Sequence, residues 1–244
     1  QESHTAMQQG ISHAENLDYY HDVGHIIKDY TLQVSEKEIK GEKIFLSSGA
    51  RPFIPPIKGL DSIPYLTNEN VFSLNEKPTS MVIIGGGYIA VEFAHFFSAV
   101  GTTVTIFQRG NRLIPNTEPE ISELLKKQFE KRMRIYLNTE VLEVKKQGNG
   151  ITTIGKNSLN GKELTVTAEK ILVAAGRKSN ADLLKVENTG VKTDTRGYIQ
   201  VNEYLETSKK NIWAFGDAIG KAIFKHVANE EASVSCRNAV HDHK

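Results

Sequence analysis

Gly85, Gly87 and Ala90 stand at the spacing G-x-G-x-x-A, preceded by the apolar run at 81–84 and followed by a helical pattern over 88–100. Glycine at the first position permits a tight turn, glycine at the second lets backbone approach a pyrophosphate, and alanine at the third lets helix and strand pack closely. The helix then offers unpaired N–H groups and a partial positive charge to phosphate oxygens. Such a match means little alone. Lying between a buried-type strand and a helix, it points to binding of a dinucleotide of the NAD(P)H kind.

The residue that meets the adenosine ribose is expected about 20 positions on, at the end of the second strand. Gln108 and Arg109 stand there, with Arg112 beyond. An acid would bond the 2′-hydroxyl of NAD and repel a 2′-phosphate. With Gln108 there is no such repulsion, and a guanidinium from Arg109 or Arg112 can meet the phosphate, so NADPH is expected to be preferred over NADH. A second glycine pair, Gly148 and Gly150, has Thr153 where the third small residue belongs and no helix after it, and reads as a turn.

Other chemistries are narrowed by composition. Cys236 is the single cysteine, which excludes an internal disulfide, a C-x-x-C pair or a zinc cluster within the chain. No residue of the chain is expected to be catalytic, and no metal site is expected. Thirty basic side chains against 29 acidic ones give a formal charge of +1, so no global field draws nucleic acid or an anionic membrane. No apolar run approaches the roughly 18 residues of a membrane span, and the start lacks a signal-peptide core. The expectation is a cytoplasmic protein with neither partner.

The elements that must position these residues follow from periodicity. Residues 81–84, 104–107 and 171–174 are buried-type strands, and with the helix over 88–100, ending at Gly101, the first two make a βαβ unit. Thr117 and Glu120 are spaced as a capping box, predicting a helix with Ile121, Leu124, Leu125 and Phe129 on its apolar face. Strands near 134–137, 140–146, 151–154 and 164–166, turned at 148–150 and at Asn160-Gly161, read as a β-meander. Earlier strands are expected at 30–34 and 43–47. Residues 1–28 show weak periodicity and read as the tail of something larger. The proline-rich stretch 51–59 must be extended and is a linker candidate.

With Gly-Gly-Gly-Tyr-Ile-Ala-Val-Glu at 85–92 in view, the chain resembles the pyridine nucleotide-disulfide oxidoreductases, the family of dihydrolipoamide dehydrogenase, glutathione reductase and mercuric reductase. Ser-Ser-Gly-Ala-Arg-Pro at 47–52 is similar to the family's A-T-G-x-x-P crossover, and Ala-Ala-Gly-Arg at 174–177 to its second crossover. Thr207-Ser208 with Ile-Trp-Ala-Phe-Gly-Asp at 212–217 resembles its second flavin motif, and Lys-His-Val-Ala at 225–228 the segment beneath the flavin. Residues 179–184 and 226–232 are most similar to mycothione reductase; dihydrolipoamide dehydrogenase is the broader match.

The resemblance implies an α/β fold: a Rossmann-like NAD(P)-binding domain with a β-meander, at 66–192, inserted in a partial FAD-binding domain made of 1–65 and 193–244. It implies cofactor contacts at Gly85, Gly87, Tyr88, Ile89, Ala90, Glu92, Gln108, Arg109, Gly176, Ser48, Gly49 and Asp217. Asp217 would accept a bond from a flavin ribitol hydroxyl, Tyr88 would gate the nicotinamide site, and Glu92 would lie near the nicotinamide. A complete member also carries a first G-x-G-x-x-G for FAD, a C-x-x-x-x-C pair, and an interface domain with a His-Glu pair. None occurs here, and His241 and His243 fall in a short polar end. The chain is therefore expected to be part of a homodimeric enzyme whose C-terminal domain it lacks, and not to turn over alone. Ile44, Leu46, Trp213 and Phe215 are expected to lose core partners.

In the whole enzyme, the resemblance implies that NAD(P)H would reduce FAD, FAD a cysteine pair, and the pair a small-molecule or protein-bound disulfide, by a dihydrolipoamide dehydrogenase-like relay. The alternatives are a flavoenzyme like NADH oxidase or coenzyme A disulfide reductase, and a nucleotide-binding module without turnover.

Overall fold

A computed structural model describes residues 2–241, which fall into two compact units: residues up to 50 with those from 178 onward, and residues 51–177. His243 lies outside the described residues, and His241 ends a helix. The boundaries differ from the expected 65/66 and 192/193 because core packing decides them. Ile57, Leu60 and Ile63 are buried with Val82 and Ile171 of the second unit, while Ala181, Val186 and Val191 belong to the core of the first.

In chain order, the first unit opens with α1 (Glu2–Ser12), β1 (Gly24–Lys28), β2 (Thr31–Val34), β3 (Lys37–Lys40) and β4 (Ile44–Leu46). The stretch expected as a tail thus contains a helix and a strand. The chain leaves through β5 (Ala50–Pro52). The second unit runs β6 (Ser80–Ile84), α2 (Tyr88–Ala99), β7 (Thr103–Phe107), α3 (Pro119–Phe129), β8 (Arg134–Tyr136), β9 (Thr139–Gln147), β10 (Gly150–Asn157), β11 (Glu163–Ala168) and β12 (Lys170–Val173). Return is through β13 (Arg177–Ser179), followed by α4 (Ala181–Leu184), β14 (Ile212–Ala214) and α5 (Lys225–His241). No helix among the described residues is long and apolar enough to cross a membrane.

In the first unit β1, β2 and β3 form an antiparallel meander, and β14 lies parallel to β4 with Ile212 opposite Ile44. The side chains expected to lose partners are mostly covered: Ile44, Leu46 and Trp213 are buried and Phe215 packs against their core. Phe45 is instead the exposed one, at 38%, stacked on Trp213 with ring centroids 5.4 Å apart. Alternation along β4 explains this, since neighbours on a strand face opposite sides.

In the second unit four parallel strands take the order β12-β6-β7-β8. Their near-continuous apolar runs suit a sheet covered on both faces. Met81, Ile83, Ala90, Ala94, Phe97, Val104 and Ile106 build one core with α2, and the meander of β9, β10 and β11 covers Val82, Phe107 and Ile171 in another. Registers align Val173, Ile84, Phe107 and Tyr136 in one row across the sheet. All four strands therefore end at the same edge. The chain moves from β6 outward to β7 and β8, then returns to the other flank of β6 as β12, which puts a topological switch between β6 and β12.

The capping box at Thr117 does not form. Pro119 fixes the first helical turn, the N-cap moves to Glu118 without a side-chain bond, and the Thr117 hydroxyl donates to the Ile114 carbonyl at 2.8 Å. The apolar face of α3 is correspondingly narrower: Phe129 is buried and Leu125 partly so, while Ile121 and Leu124 are more than half exposed.

Candidate functional site: the carboxyl edge of the parallel sheet

Hydrogen bonds carry the strand row one residue further, into the loops. Ala174 N–H donates to Ile84 O at 2.8 Å, Gly85 N–H to Phe107 O at 2.8 Å, and Gln108 N–H to Tyr136 O at 2.9 Å. Gly85 is thereby held at φ 120°, and a Cβ there would lie 2.1 Å from the Ala174 oxygen. Only glycine fits.

Gly87 differs. It is the N-cap of α2 at φ −80°, ψ −173°, an extended backbone open to any residue, and nothing lies within 4 Å of the Cβ position. Among the described residues no side chain caps this helix. The N–H groups of its first turn consequently face the edge at which the fingerprint predicts an anion. Ala90 is fully buried beneath, which sets the close approach of helix to sheet, and Ile89 is half-buried beside it.

Tyr88 and Glu92 lie one turn apart on α2 and are both exposed, so they share a face that begins at the phosphate end. Gly176, in the loop after β12, is exposed at φ 130°, and its carbonyl accepts Phe53 N–H at 2.9 Å.

The end of β7 corrects one expectation. Gln108 is 8% exposed, and its Nε2 donates to the Arg112 carbonyl at 3.1 Å. The carboxamide is turned inward and is not offered to a ribose. Arg112 is also committed, since its Nη2 donates to Pro115 O at 2.7 Å. Arg109 is exposed and, among the described residues, its guanidinium has no hydrogen-bond or ion-pair partner.

In the first unit the two motifs meet their own supports. Gly49 adopts φ 67° with open space around its Cβ position, and Ser48 Oγ is buried with no partner among the described residues. Asn180 holds this turn by donating Nδ2 to Ser48 O at 2.8 Å and N–H to Gly49 O at 3.1 Å. Gly216, at φ 66°, donates its N–H to Glu231 Oε2 at 2.7 Å, and a Cβ on it would come 3.1 Å from Ala228. Asp217 follows, half-exposed in a short 3-10 turn.

Glu231 was not singled out by sequence. The available signal was an acid on the α5 face otherwise built of Ala228, Ser235 and Ala239. Cys236 is exposed on the same helix, and no cluster of His, Cys, Asp or Glu able to hold a metal ion occurs among the described residues.

Known proteins share this fold. Residues 4–238 match the pyridine nucleotide-disulphide oxidoreductase family. The chain is 37% identical over 214 residues to mercuric reductase of Staphylococcus aureus, covering 88% of this chain and 39% of that protein. It is 35% identical to mycothione reductase of Mycobacterium tuberculosis, covering 84% and 44%. Among solved structures, the HOCl-induced flavoprotein disulfide reductase RclA from Escherichia coli, as its Cu(II) complex, superposes with a TM-score of 0.87 at 28% identity, covering 97% of this chain and 54% of that one. The chain spans about half or less of these relatives' length. It belongs to the pyridine nucleotide-disulphide oxidoreductase family.

Proposed function

We propose that this chain, as a member of that family, supplies the NADPH-binding domain and part of the flavin site of an FAD-dependent NAD(P)H:disulfide oxidoreductase. The carrying observation is the pair formed by the open Gly87 turn and the unpartnered Arg109 on neighbouring strand ends. The α2 N–H groups hold the pyrophosphate, and Arg109 meets the 2′-phosphate with charge-assisted bonds. Tyr88 covers the nicotinamide position and excludes water until the coenzyme arrives. Glu92, on the same face, orients the carboxamide end.

The features of the first unit that support FAD are an orphaned Ser48 hydroxyl, an open Gly49 turn, and a half-exposed Asp217 that follows the Gly216 backbone anchored on Glu231. Asp217 accepts from a ribitol hydroxyl, and Ser48 and Gly49 line the same cofactor. When bound, FAD supplies the two-electron to dithiol relay of the family. With Cys236 alone, this chain holds no dithiol, so turnover is proposed for the whole protein and not for these residues by themselves.

The whole protein is proposed to be cytoplasmic and homodimeric, acting on a disulfide/dithiol couple of the kind that dihydrolipoamide dehydrogenase interconverts. The test is a fluorescence titration of the chain with NADPH and NADH beside Arg109→Ala. NADPH is expected to bind about ten- to a hundredfold tighter than NADH, with the advantage lost in the variant. Equal affinities in the parent chain, or a ratio unmoved by the substitution, would refute the 2′-phosphate site.

A further inference from the structure

Two glycines leave room for one side chain. A Cβ on Gly86 would lie 2.8 Å from Gln108 Cδ, 2.9 Å from its Cγ and 3.1 Å from its Cβ. A Cβ on Gly110 would lie 3.1 Å from its Nε2. The fingerprint leaves the residue between its first two glycines free, yet here it is glycine, and the space thus left is filled by the Gln108 stem. Burying a carboxamide costs free energy unless it is bonded, and the Arg112 carbonyl provides the bond. Since a carbonyl only accepts, the group facing it must be a donor; a carboxylate at 108 could not take this place.

The bond closes a loop already fixed elsewhere. Gln108 is tied through its own N–H to Tyr136 O and its carbonyl to Thr139 N–H at 2.9 Å. Gly110 O accepts Asn138 N–H at 2.9 Å, and Ile114 N–H donates to Gly86 O at 2.7 Å. Within this frame Arg109 sits between two anchored neighbours, and the Gln108 to Arg112 bond spans it. We infer that Gln108 is a positioning residue for coenzyme choice: it touches no ligand, but it holds the 109–112 loop so that the Arg109 guanidinium is ordered where the 2′-phosphate arrives. Ordering in advance lowers the conformational cost of binding.

This rests on the 2′-phosphate reading of Arg109, and the experiment separates the two. Gln108→Met keeps the volume and removes the donor. Titrations with NADPH and NADH are made on the parent chain, Gln108→Met, Arg109→Ala and the double variant. Losing one hydrogen bond's worth of ordering, Gln108→Met is expected to bind NADPH about three- to tenfold more weakly while NADH stays within about twofold. In the Arg109→Ala background the same substitution should change NADPH binding by less than about twofold, because the two effects act through one group. NADH binding reports that the site is folded. Equal weakening of both coenzymes, no weakening of either, or full additivity in the double variant would overturn the positioning role while leaving Arg109 in place. A coenzyme ratio unmoved by Arg109→Ala would overturn both.

Discussion

Gly85 stands so close to Ala174 that a single added carbon would lie 2.1 Å from the neighbour's carbonyl oxygen, whereas Gly87, two residues on, has nothing within 4 Å. The fingerprint's two glycines therefore answer to different constraints. The first is required by the neighbouring strand end of the protein itself; the second is under no steric constraint from the described residues.

Alanine at each should separate these roles. Gly85→Ala is expected to destabilise the second unit by several kcal/mol, on the order of 3, through the backbone clash and the positive φ. Gly87→Ala is expected to cost at most about 1 kcal/mol, as a changed N-cap, yet to weaken NADPH binding about tenfold or more. Thermal melts and titrations of both variants check this. A Gly87→Ala chain that binds NADPH normally would remove the pyrophosphate from that turn.

Thr153 is fully buried on β10, and its hydroxyl has no partner among the described residues. Thr153→Val keeps the shape and removes an unsatisfied polar group. Denaturant unfolding should show a gain of about 1 kcal/mol.

Glu169 accepts both the N–H and the hydroxyl of Thr79, each at 2.8 Å, and these bonds hold its carboxyl below the ordinary carboxylate value. A group whose folded pKa is depressed contributes stability above its unfolded pKa and loses it as pH falls through the folded one. The second unit should therefore lose stability on acidification through and below the ordinary glutamate range, and Glu169→Gln should flatten that part of the profile. A profile with the same slope in the variant would exclude this contribution.

Each unit has its own core, with Ile26, Ile212 and Trp213 in one and Met81, Ile106 and Leu172 in the other. Calorimetry of the chain is expected to show two transitions. NADPH at a hundred times its Kd should add about 2.7 kcal/mol to one of them and leave the other in place. A shift of both would mean that they melt as one cooperative body.

Much of the sheet was legible because buried parallel strands write themselves as unbroken apolar runs: residues 81–84 and 104–107 lie within β6 and β7, and the helix over 88–100 is α2 with one residue trimmed. Three meander strands were found too short but in the right order, whereas the run at 134–137, expected to belong with them, is β8 of the parallel sheet, because its pairing with β7 is non-local and leaves no mark on the local pattern. What escaped has physical reasons. β3 is a polar edge strand, Lys-Glu-Ile-Lys, exposed at three of four positions, so no alternation marks it. At α3 two start signals competed, and the fixed φ of Pro119 prevailed over the Thr117 to Glu120 spacing. The position of Gln108 at a strand end could be counted from the fingerprint. The direction of its side chain could not, being set by a glycine 22 residues earlier that periodicity does not register.

One hydrogen bond described above, from Phe53 N–H to Gly176 O, ties the two ends of the second unit to each other. To its host chain such a unit is a closed loop, and lengthening a loop is inexpensive: each doubling adds only about 0.6 kcal/mol of closure entropy. A segment with adjoining ends can be lifted out, transplanted between hosts, or opened at an exposed turn and rejoined at Phe53 and Gly176 as a circular permutant. The unit built on the parallel sheet is in that sense portable, and its ancestry need not be that of the chain that now carries it.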